Sequence, residues 1–269
     1  MTASGSRPVR RWRPPPAIRN PWLRWAAILG SLTYLYLAFS TLNINWDRVQ
    51  QGMVRARTLF AGFLTPDFVS RSSAIGTGLL ESLTMTVVAT ALGVLISIPF
   101  AFGAARNIAP LPVYLASRAV IVISRSFQEI VIAIFFVVMI GFGPLAGTLT
   151  LAFATIGFLG KLLAEAIEDI DPAQIEAIRA TGASWFQLMS YGVVPQVRAR
   201  FVGLALYRLD INFRESSVLG IVGAGGIGAT LNTSIARYEY STTAAIILLI
   251  VGLVLLLEYA SGFIRARLR

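Results

Sequence analysis

An all-α integral membrane protein of about six transmembrane helices is the fold class this sequence predicts. Three observations predict it. Hydrophobic residues make up 56% of the 269-residue chain, and mean hydropathy is +0.71. Charged residues are only 13%, about half the share found in soluble domains. Apolar runs of about 20 residues, the length that crosses a bilayer core, recur along the chain with arginines at their ends. A net charge of +10 would suggest nucleic acid in a soluble protein. Here the arginines mark topology instead, and no nucleic-acid partner is expected.

The elements follow in order. Residues 1–21 form a basic, proline-rich tail carrying Arg7, Arg10, Arg11, Arg13 and Arg19. The apolar run after it is too long for a cleavable signal peptide. Residues 22–269 form the transmembrane domain. Its first span covers about 22–42, with Trp22, Trp25, Tyr34 and Tyr36 as interfacial anchors. Residues 43–80 mix Asp47, Arg48, Arg55, Arg57 and Arg71 with Phe60, Phe63 and Phe68, and read as an amphipathic or loop region on one surface. Further spans are expected at about 82–103 (kinked near Pro99), within 113–141, and at 145–167, 201–222 and 242–264. Six spans put both tails on one side. The arginine bias, with Arg265, Arg267 and Arg269 at the carboxyl end, makes that side the cytoplasm. The loop containing Arg106 and the segment 168–198 fall on the same side.

Residues 171–196 stand out as a polar, doubly capped unit between spans. Asp171-Pro172 reads as an N-cap and first helical residue, with Gln174 placed to complete a capping box. Gly182 reads as a left-handed stop. Ser184 caps again with Gln187 three residues on, and Pro195 predicts an extended Val194. Trp185, Phe186, Leu188 and Met189 give the second helix an apolar face. A DNA-binding helix-turn-helix is excluded by the tethering at both ends and the apolar second helix. A docking knob for a soluble partner fits better.

Cysteine and histidine are both absent. That removes disulfides, Cys/His metal sites, cysteine nucleophiles and a Ser-His-Asp triad. No catalytic or metal-binding residue is expected, and the chain is not read as an enzyme. The run Gly223-Ala-Gly225-Gly226-Ile-Gly228 matches a dinucleotide fingerprint, but an apolar span precedes it and no βαβ unit surrounds it. Ionisable residues inside spans are costly and face a bundle interior or a wet path. Arg125 and Glu129 read as one helical face, Lys161 and Glu165 as another pair, and Arg208, Asp210, Arg214 and Glu215 cluster on the fifth span. Arg125 and Arg214 could put positive potential along an anion's path, with Glu129 and Glu215 preventing a trap. Internal salt bridging is the alternative.

Glu176, Ala177, Gly182 and Pro195 resemble the EAA loop of bacterial ABC-importer permeases. Two departures are visible: Ile178 stands where alanine is usual, and Gly192 where an aliphatic residue is common. The combination EAIRATGAS…YGVVPQ is most similar to the phosphonate-importer permease family, and the resemblance covers about residues 75–265. It implies a type I importer-like bundle acting as a homodimer in the bacterial cytoplasmic membrane. Two ATPase subunits, which hold ATP and Mg, would dock on the loop through Glu176 and the apolar face around Trp185. An extracytoplasmic binding protein would deliver a small anion: phosphonate, phosphate or phosphite. The resemblance also places Gly223, Gly225, Gly226 and Gly228 near an outer gate, where they would give backbone flexibility. The alternatives are a permease for another small ligand such as methionine, or a stand-alone secondary transporter, for which no clear repeat is visible.

Overall fold

The computed structural model describes residues 18, 20–42 and 45–267. The arginines of the amino tail and Arg269 lie outside the described residues. Two units are distinguished, 1–56 and 57–269. In the first, α1 (Pro21–Ser40) is capped by Asn20, whose side chain accepts from the Trp22 amide, with Pro21 in the first turn. α2 (Trp46–Gly62) then begins and runs on into the second unit. The mixed region 43–80 is therefore largely helical, and the second span starts at Ser72, ten residues earlier than 82–103 suggested.

The second unit contains α3 (Ser72–Gly103), α4 (Leu111–Ser126), α5 (Glu129–Ile140), α6 (Pro144–Glu168), α7 (Pro172–Ala180), α8 (Trp185–Gln187), a π-helical turn Leu188–Val193, α9 (Val194–Leu219), a short 3-10 turn, α10 (Ile227–Ala236) and α11 (Tyr240–Arg267). Among the described residues, α3, α6 and α11 are each long and apolar enough to cross a membrane alone. Two bent pairs have the length and composition for a crossing each if each pair is one span: α4 with α5, bent by 93°, and the α8–α9 rod with α10, bent by 45°. The single span expected within 113–141 is thus two helices joined at a sharp bend. α1, the remaining expected span, is a 20-residue helix that carries Arg24 among its aromatics and is not among the helices apolar enough to cross, so the described residues supply at most five of the six expected crossings.

α3 and α6 pack along their lengths through small residues, as helices in lipid do. A Cβ on Gly93 would strike Thr155 and the Ala152 carbonyl. α4 joins this pair through Ser124, whose hydroxyl accepts from the Gly157 amide at 3.1 Å and donates to the Phe153 carbonyl at 2.6 Å. The serine thereby occupies one rung of the α6 ladder. One apolar cluster gathers Ala101, Leu163, Ile167, Leu188, Met189, Val193 and Val197 at the end of α6 that feeds α7. A second gathers Ala89, Ala133, Val137, Leu151, Leu219 and Ala224 further along.

Polar contacts fix the two ends of the bundle. At one end, Glu168 Oε1 accepts from the Arg106 amide at 2.8 Å and from Arg118 Nη2 at 2.9 Å. Asn107 Nδ2 donates to the Ile167 carbonyl at 2.8 Å, satisfying an α6 terminus. The Arg106 turn and the start of the 168–198 segment therefore share one end, as the arginine count requires. At the other end, Asp67 accepts from the Val69 and Ser70 amides. Ser70, through its side chain first and then its amide, and the Val69 amide hold the Asp67 carboxyl below the usual carboxylate range.

Candidate functional site

The segment between α6 and α9 is built from two caps and one glycine. Asp171 accepts from the Ala173 amide at 2.9 Å, and Pro172 opens α7. The Asp171 amide donates to Gln196 Oε1 at 3.0 Å. Gln196, on α9, therefore takes the place expected for Gln174, and it ties the start of α7 to the base of α9. Gly182 has φ +78°, the left-handed conformation that glycine adopts at least cost, and its amide donates to the Arg179 carbonyl at 3.0 Å. Ser184 and Gln187 form the expected capping box.

Pro195 does not stop the second helix. Val194 is helical, with φ −56° and ψ −43°. α8, the π turn and α9 form a continuous rod from Trp185 to Leu219. The Val194 amide donates to the Met189 carbonyl, the i to i−5 bond of a π turn. Pro195 thus sits in the first turn of α9, where its missing N–H costs least. The apolar face expected on this helix is also divided. Leu188 and Met189 are buried in the bundle's own cluster, whereas Trp185 and Phe186 are 54% and 77% exposed and pack edge to face at 5.1 Å.

The two departures from the EAA pattern turn out to be one packing unit. A Cβ on Gly192 would lie 3.0 Å from Ile175 Cδ1 and 3.3 Å from Ile178 Cδ1. The isoleucine at 178 occupies space that the glycine at 192 leaves open. Gly192→Val is expected to lower the thermal midpoint through overpacking of about 1–3 kcal/mol, and Ile178→Ala added to it should recover part of the loss. Additive losses in that double variant would show that the two positions do not share space.

Glu176, Ala177, Gly182 and Trp185 all lie on the exposed side of this unit, while Pro195 stands at the foot of α9. Glu176, Arg179, Trp185 and Met189 line a cleft of about 340 Å³ with Glu168 and Asn107. The exposed surface of this unit therefore combines an aromatic pair, both signs of charge and a concavity.

One intramembrane pairing differs from its sequence spacing. Arg125 ends α4 and Glu129 begins α5, so the 93° bend separates them. Glu129 instead accepts from Arg208 Nη2 at 2.8 Å. Arg208 is 3% exposed; its Nε donates to Thr155 Oγ1 at 3.0 Å, and its guanidinium lies 5.3 Å from the Phe158 ring centre. Asn212 Nδ2 donates to Thr155 Oγ1 at 3.1 Å and to Thr90 Oγ1 at 2.8 Å. One polar network thus joins α3, α5, α6 and α9. Arg214 pairs with Asp210 on the other side of α9, and Glu215 lies in range of Glu129, Arg208 and Arg214. Lys161 and Glu165 pair at 3.5 Å as expected. Arg125 is exposed beside the bend and, unlike Arg118, Lys161, Arg208 and Arg214, forms no salt bridge among the described residues.

Sequence reading named Arg208 but missed its network. The available signal was the i, i+4 spacing of Arg208 and Asn212, a buried polar face beside the Asp210–Arg214 face on the same helix.

The glycine run adopts left-handed backbone and makes specific contacts. Gly223, Gly225 and Gly226 have φ +87°, +79° and +75°. The Gly223 carbonyl accepts from the Gly143 amide at 3.0 Å, and the Gly226 amide donates to Glu81 Oε2 at 3.1 Å. A Cβ on Gly228 would collide with the Ser217 carbonyl. The glycines provide left-handed backbone and close approach between α9 and α10.

Comparison with known proteins places this architecture among transport components. Residues 93–269 match the family described as the binding-protein-dependent transport system inner membrane component. A phosphate-import permease protein of Mycolicibacterium smegmatis is 40% identical over 86% of the chain; the chain spans only 44% of that protein's length. A phosphite transport system permease protein of Stutzerimonas stutzeri is 41% identical, covering 90% of the chain and 86% of that protein. Among solved structures, an inward-facing methionine ABC transporter superposes with a TM-score of 0.67 at 25% identity, over 75% of the chain and all of the matched one.

Proposed function

The chain belongs to the family of inner membrane components of binding-protein-dependent transport systems, and on that premise we propose that it is the permease subunit of an ATP-driven importer for a small phosphorus oxyanion. Phosphonate, phosphite and phosphate are the candidate substrates. The relatives named for phosphate and phosphite support that class, as does an exposed positive charge at the α4–α5 bend. Arg125 is the observation that carries the reading. It lies exposed at the α4–α5 bend with no carboxylate partner among the described residues, which leaves its planar donors available to an oxyanion. Arg214, already held by Asp210, plays the lesser part. Glu129 and Glu215 keep the local charge low, so that the anion is passed on rather than trapped.

Two copies of the chain would enclose the path, with both termini cytoplasmic. A binding protein would present the anion on the outer side. Two ATPase subunits, carrying ATP and Mg, would receive the 171–196 unit: Trp185 and Phe186 as the apolar contact, Glu176 as the polar one, Gly182 as the fixed turn. Closure of those subunits would draw the two docking units together and switch the permease from inward- to outward-facing. A free-standing secondary transporter does not fit the family.

Arg125→Gln is expected to lower ATP-driven uptake by roughly tenfold, the equivalent of one charge-assisted hydrogen bond. Arg214→Gln should lower it less. Uptake of labelled phosphite and phosphate into proteoliposomes containing the assembled complex measures both. Unchanged uptake in Arg125→Gln would contradict the assignment.

A further inference from the structure

α2 is not absorbed by any of these roles. It has 17 residues, about 25 Å at 1.5 Å per residue, too short for a hydrocarbon core of roughly 30 Å. It also carries Asp47, Arg48, Arg55 and Arg57. Trp46, Val49, Met53, Ala56 and Phe60 recur at i, i+3, i+7, i+10 and i+14, a single face. Trp46, Met53 and Phe60 are 67%, 70% and 68% exposed. Asp47, Arg48, Gln51 and Arg55 occupy the opposite face.

The carboxyl end of α2 has a known level. Gly62 lies flush against the Tyr240 backbone, where an added Cβ would be 2.8 Å from the carbonyl oxygen. Just beyond it, the Asp67 amide donates to the Ser241 carbonyl at 3.1 Å, and Arg71 Nε pairs with Glu239 Oε2 at 2.7 Å. Ser72 and Tyr240 are the first residues of α3 and α11, two helices able to cross the membrane. The end of α2 therefore stands where α3 and α11 begin, at one boundary of the spanning bundle.

We infer that α2 is an interfacial helix that lies on the bilayer at this boundary and binds anionic lipid headgroups. The face of Trp46, Val49, Met53 and Phe60 enters the acyl region, and Arg48 and Arg55 reach the phosphates, with Arg57 at the edge of the face. Charge favours lipid over a second copy of the chain. The helix carries three arginines against one aspartate, so pairing two copies would bring like charges together, whereas anionic headgroups neutralise them.

The chain contains no cysteine, so single cysteines can be introduced cleanly for nitroxide labelling. The full-length chain would be placed in vesicles of equal parts phosphatidylcholine and phosphatidylglycerol. Val49→Cys, Met53→Cys and Phe60→Cys should give oxygen accessibility several-fold above that to a water-soluble nickel chelate. Gln51→Cys and Arg55→Cys should give the reverse. Adding Arg48→Glu should reduce the oxygen accessibility at Met53 in these vesicles more than in pure phosphatidylcholine. Nickel access at every site would place the helix in water and overturn the inference. Shielding of Val49, Met53 and Phe60 from both reagents, with spin–spin coupling between copies, would overturn it in favour of a protein interface. Equal effects of Arg48→Glu in both lipids would overturn the anionic preference.

Discussion

Arg208→Met is expected to destabilise the protein by about 3–5 kcal/mol, the cost of leaving a buried charge without its partner. The side chains of Arg208 and Glu129 are 4% and 21% exposed, so water screens their attraction poorly. Removing the guanidinium strands the Glu129 carboxylate and takes one donor from Thr155, to which Asn212 also donates. Four helices meet at this network, so the loss is not local. Thermal unfolding of the detergent-solubilised protein measures it. Glu129→Leu added to Arg208→Met should restore much of the midpoint, because an apolar pair of similar volume replaces a buried ion pair at little cost. An unchanged midpoint in the single variant would show that the ion pair does not hold α5 to α9.

The same residues show where the sequence was legible. The apolar segments, the caps at Asp171 and Ser184, and the left-handed Gly182 depend on neighbours within a few positions, and local chemistry settles them. The bend at Phe127–Gln128 has no such signal. No proline or glycine marks it, and the mostly polar run Ser124–Glu129 interrupts the apolar segment without dictating a bend. It is held by Glu129 reaching an arginine 79 residues away and by Ser124 entering the α6 ladder. Pairing charges by sequence spacing therefore joined Arg125 to Glu129, when the true partner comes from α9. Pro195 misled for a related reason. Its usual effect on the preceding residue was overridden by a π turn that places the proline where no amide is needed. Gly192 and Ile178 looked like separate departures from a motif, and only their contact shows them to be complementary.

The coupling of the 171–196 unit to an ATPase is the central claim, and Gly182 is its most sensitive point. Proline fixes φ near −65°, whereas Gly182 needs +78° and donates its amide to Arg179. Gly182→Pro therefore breaks the turn between α7 and α8 at an exposed site, where an added Cβ would touch no other side chain. Glu176→Lys leaves the turn intact and reverses one surface charge. The decisive measurement is the number of substrate molecules taken up per ATP hydrolysed, in proteoliposomes containing equal amounts of inserted complex. The account predicts that this ratio falls by roughly tenfold or more in Gly182→Pro, a loss of at least about 1.4 kcal/mol of coupling, and by less in Glu176→Lys. An unchanged ratio in both variants would contradict it and leave the segment a connector between spans.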